Sequence, residues 1–485
     1  MSVMDSQRWS GKILLDDWVA GGAGVSDVVE PASGETLGQL GLADVADVRR
    51  AAARAKQAQR DWAATRPSER AAILRRAGQL WLDDQGELRD WLVRETGSTQ
   101  AKAGFELSMA AQICFTAAGL LSQSRGEFLP TDSERWSFSR RLPAGVVTVI
   151  APFNVPLLLA IRSVAPALAL GNAVLLKPDP RTAVSGGVAL ARVFQEAGLP
   201  AGLLQLLPGG AEVGEATVSA PEVSVVSFTG STSAGRAVGR LAAGELKRVH
   251  LELGGKNSLL ILPGAELGKA VSAAAFGSYF HQGQICMSTG RHLVHESDYE
   301  SYLARLVETA KNLTVGDPYR EDVAVGPIID QRQFGRIDSI VQDAVAAGAR
   351  LETGGAARGL FYRPTVLSGL SVENPAWQQE IFGPVAPVLS YRTIDEAIQL
   401  INDTEYGLSV GILGDLGQAL HIADRVESGK VHINEQTVDD EPYAPFGGVK
   451  DSGNGARFGG TLANIEAFTE TQWVTVRSEI AEYPY

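Results

Sequence analysis

The sequence predicts an α/β protein with a parallel-sheet domain, a second α/β domain and a small additional β segment. From residue 145 onward, short apolar runs alternate with segments of helical periodicity, which is typical of parallel strands joined by crossover helices. A second series of the same kind begins after residue 255. A chain of 485 residues is also too long for one ordinary core, so two or three packed units are expected.

The region before residue 120 is expected to be largely helical. A first helix is predicted over residues 46–62, where apolar side chains recur at helical spacing up to Trp62. A second helix is predicted after Pro67, with apolar residues again on one side. These helices precede the first strand and are expected to pack against the parallel sheet.

Five buried strands are predicted in the first series, at residues 145–152, 173–178, 203–209, 223–230 and 248–255. Helices near residues 184–197, 211–219 and 233–243 connect them. The very apolar stretch 155–176 is interrupted by prolines and by Arg162, so it predicts a buried helix and then a strand, not a membrane span. Each strand ends in Gly or Pro, and ligands bind beyond the carboxyl ends of such strands.

The second series predicts strands at residues 292–295, 386–391, 408–413 and 430–434, and helices near 267–284, 298–313 and 331–348. Two segments lie outside both series. One is the polar segment 121–143, and the other is the tail, where residues 472–477 have strand character but no evident partner. Because an exposed strand invites pairing with another chain, segments 121–143 and 465–485 are predicted oligomer contacts.

Composition limits the partners and the compartment. The formal net charge is −13 and there is no run rich in Lys and Arg, so nucleic acid and anionic membranes are not expected as partners. Two cysteines, Cys114 and Cys286, cannot form a disulfide framework for this chain, which indicates a reducing compartment. No signal peptide is apparent at the start. A cytoplasmic protein is predicted, and no metal site is predicted.

Cys286 lies in the segment "HQGQICMSTG" (281–290), among glycine and polar residues. A thiolate favoured by a helix N-terminus or a nearby base would attack a carbonyl carbon. Free cysteines are more often packing residues, so this residue taken alone favours packing. Cys114, in the helical stretch "AAQICFTAAG" (110–119), is predicted to pack.

Two polar residues beside strand ends are candidates for the same chemistry. Glu252 lies in "LELGGKN" (251–257), where burial would raise the pKa of its carboxyl toward that of a general base. The alternative is a helix-capping or solvated glutamate. Asn154 lies in "APFNVP" (151–156), where its amide would donate to an oxyanion. The alternative is an ordinary turn asparagine.

A glycine-rich segment, "FTGSTSAG" (228–235), lies at a strand-to-helix turn. No complete GxGxxG follows the first strand, so the usual dinucleotide fingerprint is absent. Gly230 permits a tight turn, and the N–H groups of the helix start, with Ser231, would hold an anion such as pyrophosphate. The alternative is an ordinary capped helix.

Seven motifs, taken in order, resemble the aldehyde dehydrogenase superfamily over nearly the full length. They are "APFNVP", "LLKPD", "FTGSTSAG", "LELGGKN", "GQICMS", "EIFGPV" (380–385) and "PFGGVKDSG" (445–453). The resemblance implies a Rossmann-like dinucleotide-binding domain at 1–120 and 144–252, and a catalytic domain at 253–453. Segments 121–143 and 465–485 would then form the oligomerisation contacts of a homodimer or homotetramer.

The resemblance implies a role for each candidate catalytic residue. Cys286 would add to the aldehyde to give a thiohemiacetal, whose oxyanion Asn154 and the Cys286 backbone N–H would hold. After hydride loss to the nicotinamide, Glu252 would activate the water that hydrolyses the thioester. A thioester divides a difficult oxidation into hydride transfer and acyl hydrolysis.

The resemblance also implies a binding site for NAD. Lys177 would reach the adenosine ribose and Ser231 the pyrophosphate, while Glu380 would hold the nicotinamide ribose and Phe382 would pack near the ring. Further implied cofactor-binding positions are Ile150, Pro152, Phe153, Asp179, Gly210, Phe228, Thr229, Gly230, Leu253 and Gly254. Many NAD-preferring relatives have Glu three residues after the family lysine, where this chain has Pro180, and Arg181 is adjacent. The sequence therefore predicts that NADP is tolerated beside NAD.

Within the superfamily, "FHQGQICMSTGRHLVH", "VHINEQ" and the ending "EYPY" resemble bacterial benzaldehyde dehydrogenases. An aromatic aldehyde is the implied substrate, in a pocket formed by Asn154, Leu158, Arg162, Ile285 and Met287. Arg162 either pairs with an acidic substrate or, as we favour, faces outward or pairs with a local acid.

Other interpretations stay open. The first is an enzyme for vanillin, salicylaldehyde, or an aliphatic or succinate semialdehyde. The second is a CoA-acylating enzyme, against which Glu252 argues because a resident base favours water as the acyl acceptor. The third is a non-catalytic dinucleotide-binding scaffold, against which the intact Cys286, Glu252 and Asn154 argue.

Overall fold

Four short strands precede the helical region in the computed structural model, which describes residues 3–485. The elements before residue 42 are α1 (Ser6–Trp9), β1 (Lys12–Leu14), β2 (Trp18–Ala20), β3 (Val25–Val29) and β4 (Thr36–Gly41). The prediction of a largely helical start is wrong for this segment. Strands of three to six residues show little alternation of their own, because contacts with distant segments decide which side is buried.

Four helices then confirm the helical prediction: α2 (Val45–Ala64), α3 (Pro67–Asp83), α4 (Gln85–Thr96) and α5 (Gln100–Gly119). Asp44 and Asp47 form a capping box at the start of α2, and Pro67 occupies the first turn of α3, where a missing N–H costs little. Within the described residues, 100–122 is the helical stretch with the length and composition of a membrane span, and more than half of its apolar window is buried inside the protein.

The first sheet confirms the five predicted strands. After β5 (Gly126–Phe128) and β6 (Trp136–Pro143), the chain forms β7 (Val146–Ala151), α6 (Pro156–Ala169), β8 (Ala173–Pro178), α7 (Ala189–Glu196), β9 (Leu204–Leu206), α8 (Ala211–Ser219), β10 (Val223–Thr229), α9 (Thr232–Gly244) and β11 (Arg248–Glu252). The sheet order is β11-β10-β7-β8-β9-β1-β2. Strands β7 to β11 are parallel, and β1 and β2 are antiparallel additions. The order reverses at β7, so a crevice is expected beyond the carboxyl ends of β7 and β10.

A second sheet follows, in the order β14-β17-β18-β13-β12-β20-β21. Only β14 is antiparallel to its neighbour. The elements of this region are β12 (Asn257–Ile261), α10 (Leu267–Tyr279), β13 (Thr289–His295), α11 (Tyr299–Asn312), α12 (Gln331–Ala346), β14 (Arg350–Thr353), β15 (Ala357–Arg358), β16 (Phe361–Tyr362), β17 (Thr365–Ser368), α13 (Pro375–Gln378), β18 (Val385–Tyr391), α14 (Ile394–Asn402), β19 (Tyr406–Gly407), β20 (Ser409–Leu413), α15 (Leu416–Ala423), β21 (Lys430–Ile433) and β22 (Val449–Lys450). The four predicted strands are present. The interior strand β12 was not predicted, because its apolar run is short and its burial depends on the strands on either side.

The tail strand finds its partner in the polar segment near residue 130. After α16 (Thr461–Phe468), strand β23 (Thr469–Val476) pairs antiparallel with β6, and β5 completes a three-stranded sheet. The two segments that lay outside both series therefore form one structure. Its large apolar side chains are exposed, at 78% for Phe128, 69% for Trp136 and 62% for Trp473.

Candidate active site

Glu252 is the last residue of β11 and lies inside the protein. Its exposed fraction is 2%, and neither carboxylate oxygen has a hydrogen-bond partner among residues 3–485. Burial raises the pKa of this carboxyl to about 8, although the charge of Arg162 opposes the shift. The side chain is therefore neither a helix cap nor solvated. Its raised proton affinity is what a general base near neutral pH requires.

The two glycines after Glu252 let the loop approach other parts of the site. A β-carbon at Gly254 would lie 2.5 Å from a carboxylate oxygen of Glu380, and one at Gly255 would lie 2.5 Å from the carbonyl oxygen of Cys286. The Gly255 N–H donates to Glu380 Oε1 at 3.0 Å. Any side chain at these positions would force the segments apart, so the glycine pair brings Glu252, Glu380 and Cys286 into one site.

The loop before Cys286 has an unusual backbone. Residues 281–283 have φ angles of +49°, +57° and +66°, and the left-handed region is unfavourable for the non-glycine residues. The Gln282 side chain holds this conformation by donating to the carbonyls of Gly97, at 2.7 Å, and Pro327, at 2.9 Å. The strained loop is thus anchored from a different part of the fold.

Asn257 fixes the other side of the same loop. Its Nδ2 donates to the carbonyl of Cys286 at 2.8 Å and to that of Ser288 at 2.9 Å, while its Oδ1 accepts from the Ser409 N–H at 3.0 Å. Asn257 closes the "LELGGKN" motif, but sequence reasoning gave it no role. The polar residue that follows two glycines was the available signal.

The two cysteines have different surroundings. Cys114 is 0% exposed within the main apolar core, which confirms that it packs. Cys286 is partly exposed, and burial raises the pKa of its thiol to about 12, opposed first by the charge of Lys430. Lys430 Nζ contacts Met287 Sδ and donates to the Asp439 carbonyl at 2.7 Å. A cation thus lies beside the candidate nucleophile, and nothing in the sequence pattern had marked it.

Asn154 lies beyond the carboxyl end of β7, as predicted, and is 2% exposed. Its backbone carbonyl accepts a hydrogen bond from Lys102 Nζ at 2.9 Å. Helix α6, in which every residue is buried, begins two positions later. Asn154 is therefore held in the interior and is not an exposed turn residue.

Several residues predicted for the cofactor lie at or just beyond the carboxyl ends of β7 and β10. Ile150 and Phe228 are register partners in these strands, and Phe228 packs with Leu253. Ser231 caps α9 by accepting from the Ala234 N–H at 3.4 Å and is exposed. The two interpretations of "FTGSTSAG" thus describe one arrangement, because a capped helix start that is open to solvent is also an anion-binding position.

Lys177 lies in β8 and is 9% exposed. Burial lowers its pKa, and the carboxylates of Asp179 and Glu212 oppose this. Glu212 occupies the first turn of α8 and accepts from the Gly210 N–H at 3.2 Å. Sequence reasoning did not single out Glu212, although an acidic residue at the start of a helix after a sheet strand was a visible signal.

Arg181 is already occupied by acidic partners. Its guanidinium donates to both carboxylate oxygens of Asp179, at 2.9 and 2.8 Å, and to Asp330 at 2.7 Å. It also lies 4.1 Å from the ring centroid of Phe153. The charge of Arg181, the residue adjacent to Pro180, is therefore already balanced within the protein. The absence of a carboxylate at Pro180 still stands as the basis for predicting NADP use.

Phe382 joins the two sheet regions. It has a φ angle of +58°, which is rare for a bulky residue and indicates a conformation imposed by its surroundings. Its ring packs edge-on against Phe153, with centroids 5.8 Å apart. Glu380, two residues earlier, has a pKa raised by burial. The "EIFGPV" turn therefore faces the crevice of the first sheet.

Arg162 points into the protein and pairs with an acid that is distant in sequence. It is 7% exposed, and its Nη1 lies 3.4 Å from Asp440 Oδ2. The guanidinium carbon is 4.0 Å from the ring centroid of Phe446 and 5.6 Å from that of Phe458. Arg162 therefore does not face outward, its acidic partner comes from a distant segment, and a small cavity lies beside this pair.

The remaining predicted pocket residues are buried. Ile285 is 5% exposed, Met287 is 8% exposed and Leu158 is 4% exposed, and all three belong to one apolar cluster. Their contact with a substrate stays a prediction.

The fold and the candidate residues define an α/β class with a cysteine, a buried glutamate and a buried asparagine beside strand ends and loops, and comparison with known proteins gives the family. Residues 18–474 match the model of the aldehyde dehydrogenase family. A vanillin dehydrogenase of an Amycolatopsis species is 58% identical, with 100% of both chains covered. A benzaldehyde dehydrogenase [NAD(+)] of Pseudomonas putida is 47% identical, with 98% of both covered. A salicylaldehyde dehydrogenase from Pseudomonas putida G7, solved with salicylaldehyde, has a TM-score of 0.94 at 36% identity and covers 98% of this chain and 99% of its own.

This chain therefore belongs to the aldehyde dehydrogenase family, and it is an NAD(P)-dependent oxidoreductase. The residues beyond the carboxyl ends of β7 and β10 fit such a cofactor. A β-carbon at Gly254 would lie 2.5 Å from a carboxylate oxygen of Glu380, and one at Gly230 would lie 2.6 Å from the Phe228 ring, so the backbone is bare at both positions. The start of α9 presents its N–H groups beside these positions.

Proposed function

We propose that this enzyme oxidises aromatic aldehydes to carboxylic acids. The relatives named above act, by their names, on vanillin, benzaldehyde and salicylaldehyde, all of which carry the aldehyde on a benzene ring. The pairing of Arg162 with Asp440 is the observation that carries the substrate class. It offsets the charge that would attract a carboxylate-bearing aldehyde, and the same guanidinium lies against the rings of Phe446 and Phe458.

Three side chains would carry the chemistry. Cys286 gives up its thiol proton to solvent and adds as the thiolate to the aldehyde carbon, and the Asn154 amide with the Cys286 backbone N–H stabilises the oxyanion. NAD(P), when bound, supplies the two-electron acceptor. Glu252 then takes a proton from the water that hydrolyses the thioester, and the carboxylic acid leaves Cys286 as a free thiol. The buried, unpartnered carboxylate of Glu252 supports hydrolysis over transfer to CoA.

The cofactor would lie across the crevice beyond β7 and β10. Lys177 and Glu212 would bind the adenosine ribose, and the open start of α9 at Ser231 would bind the pyrophosphate. Glu380 would bind the nicotinamide ribose, and Phe382 would pack near the ring. Ile150, Phe228 and Leu253 supply apolar walls.

A kinetic panel tests the substrate class. Benzaldehyde, vanillin, salicylaldehyde, hexanal and succinic semialdehyde are compared with NAD and with NADP. We expect kcat/KM to be highest for one of the three aromatic aldehydes. A preference for succinic semialdehyde or hexanal would contradict the proposal. Benzaldehyde is the first specific candidate. Vanillin is the second, because a vanillin dehydrogenase is 58% identical to this chain.

The same panel separates the other classes of function. Acyl-CoA formed on addition of CoA would indicate a CoA-acylating enzyme, in which CoA and not water accepts the acyl group. Absence of NAD(P)H production with every aldehyde would indicate a non-catalytic scaffold. We expect neither outcome.

We further propose that the sheet of β5, β6 and β23 is a subunit contact. Its exposed Phe128, Trp136 and Trp473 are typical of a surface that another chain covers. We propose that the assembly is a homodimer or a homotetramer. We also propose a cytoplasmic location and domain boundaries at residues 120, 144, 253 and 453. Sedimentation of the Trp136→Ser/Trp473→Ser variant tests the contact, and an unchanged assembly would contradict it.

A further inference from the structure

A buried ion pair lies behind Asn154. Lys102 and Glu106 lie one turn apart on α5, and their side chains are 1% and 0% exposed. Lys102 Nζ contacts Glu106 Oε1 and donates to the Asn154 carbonyl at 2.9 Å. Neither residue belongs to the motifs of the site, and neither has a role in the chemistry described above.

Glu106 connects the same pair to the start of α6. Its Oε2 accepts hydrogen bonds from the N–H groups of Leu157, at 3.1 Å, and Leu158, at 3.2 Å. These are first-turn N–H groups that a helix leaves unpaired, and a carboxylate there is favoured by the helix dipole. The segment from Asn154 to Leu158 is thus held at both ends by two side chains of one neighbouring helix.

We propose that the Lys102–Glu106 pair is a positioning element that sets the backbone of Asn154, so that its side-chain amide points at the oxyanion formed on Cys286. This rests on the role proposed for Asn154. A donor must be fixed before charge develops if it is to stabilise a transition state. A buried cation on the carbonyl of the donor residue supplies that rigidity. Loss of either Lys102 or Glu106 alone is costly in free energy, because it leaves the other side chain as an unpaired buried charge.

Stability alone does not account for the placement. A buried ion pair is often no more stabilising than well-packed apolar residues of similar volume, yet both of these side chains contact the backbone on either side of the α6 start. Lys102 also acts on the nucleophile loop, since burial, with a further contribution from the Lys102 charge, holds the pKa of His281 well below its usual range. Effects on Asn154 and on the Cys286 loop must therefore be measured separately.

The chain offers a matched control in Glu95. This carboxylate is also 0% exposed, and it accepts backbone N–H bonds from Val184, at 2.9 Å, and Ser185, at 2.6 Å, at the start of a π-helical turn. Glu95→Gln therefore removes a similar buried charge at a helix start without touching Asn154.

The experiment measures the NADH burst of the full enzyme with benzaldehyde for Lys102→Met, Asn154→Ala, the two combined, and Glu95→Gln. Loss of an oxyanion donor costs about 100- to 1,000-fold, so we expect about 10- to 100-fold slower bursts for Lys102→Met, where the donor is displaced and not removed. NAD binding, followed by fluorescence, and alkylation of Cys286 by iodoacetamide should stay within twofold of the unmodified enzyme. Glu95→Gln should keep the normal burst even if it melts at a lower temperature.

The decisive result is the combined variant. If Lys102 acts through Asn154, Lys102→Met slows the burst no further in the Asn154→Ala background. Equal slowing in both backgrounds, or a normal burst in Lys102→Met, overturns the positioning role. A normal burst in Asn154→Ala instead overturns the proposed oxyanion role, so the two failures are distinguishable. If Lys102→Met does not fold, Lys102→Met/Glu106→Gln, which removes both charges, is measured in its place with the same expectations.

Discussion

The Gly255 N–H donates a 3.0 Å hydrogen bond to Glu380 Oε1, which links the loop after the first sheet to the turn that carries Phe382. A β-carbon at Gly255 would lie 2.5 Å from the Cys286 carbonyl, so the same residue also touches the nucleophile loop. The proposed general base, nucleophile and cofactor-binding carboxylate are thus joined through one glycine. This close approach makes the site sensitive to single substitutions.

Cys286→Ala should abolish aldehyde oxidation, by about 10⁴-fold or more, because no other side chain replaces a nucleophile. NAD binding measured by fluorescence should be unchanged. Cys114→Ala is the matched control, since Cys114 is a packing residue of the core. It should retain activity with slightly lower thermal stability, and an inactive but well-folded Cys114→Ala would overturn the packing assignment.

Glu252→Gln should slow hydrolysis of the thioester by about 100-fold or more, the usual contribution of a general base. Because Cys286 is untouched, NADH should still form in a burst of one equivalent per active site, followed by slow turnover. Stopped-flow absorbance measures both phases. Normal steady-state turnover in this variant would remove Glu252 from the mechanism.

The rate of acyl hydrolysis should rise with pH and level off above about 8, because burial raises the pKa of Glu252 to about 8 and only the ionised carboxylate accepts a proton. The rate rises and does not fall with pH, because protonation of Glu252 below this pKa removes the form that acts as the base. Single-turnover decay of the acyl-enzyme between pH 6 and pH 10 is the measurement. A profile that stays flat across pH 8, or the same profile in Glu252→Gln, would contradict the assignment.

Asp440→Asn should shift substrate preference toward aldehydes that carry a carboxylate. The change frees Arg162, and a charge-assisted hydrogen bond of about 1.5–3 kcal/mol to a substrate carboxylate corresponds to about tenfold or more in kcat/KM. The ratio for succinic semialdehyde over benzaldehyde is the readout, and the Glu441→Gln variant, next in the chain, is the control. An unchanged ratio would show that Arg162 does not face the substrate.

Glu212→Gln should raise the use of NADP relative to NAD. No carboxylate stands at Pro180, so NADP is expected to support turnover, but Glu212 lies close enough to Lys177 to affect its pKa. Its charge would repel a 2′-phosphate and accept from ribose hydroxyls. We expect about a tenfold change in the ratio of dissociation constants, measured by titration of the unreacted enzyme. Glu215→Gln, later on α8, is the control, and an equal change there would assign the effect to general charge.

Much of the first sheet was predictable because its strands are short, mostly apolar runs followed closely by a Gly or Pro. Strand β12 and the four strands before residue 42 were not, since their burial depends on neighbours far along the chain. The same distinction applies to the site. Cys286 and Asn154 lie in loops and Glu252 lies at a strand end, all at positions that their own motifs indicate. Lys430, Asp440 and Glu212 were not predicted, because each is relevant only through a neighbour that is distant in sequence: Cys286, Arg162 and Lys177, respectively.

By itself, the sequence determined the fold class, the family and the order of the chemical motifs, because local periodicity and turn residues are properties of neighbouring positions. Tertiary structure alone decided that Arg181 is neutralised by Asp179 and Asp330, and that Arg162 is paired with Asp440. It also decided that Lys102 and Glu106 hold the segment around Asn154. The availability of a charge depends on the distance to its counter-charge and on burial, and both are set by segments that meet only when the chain folds.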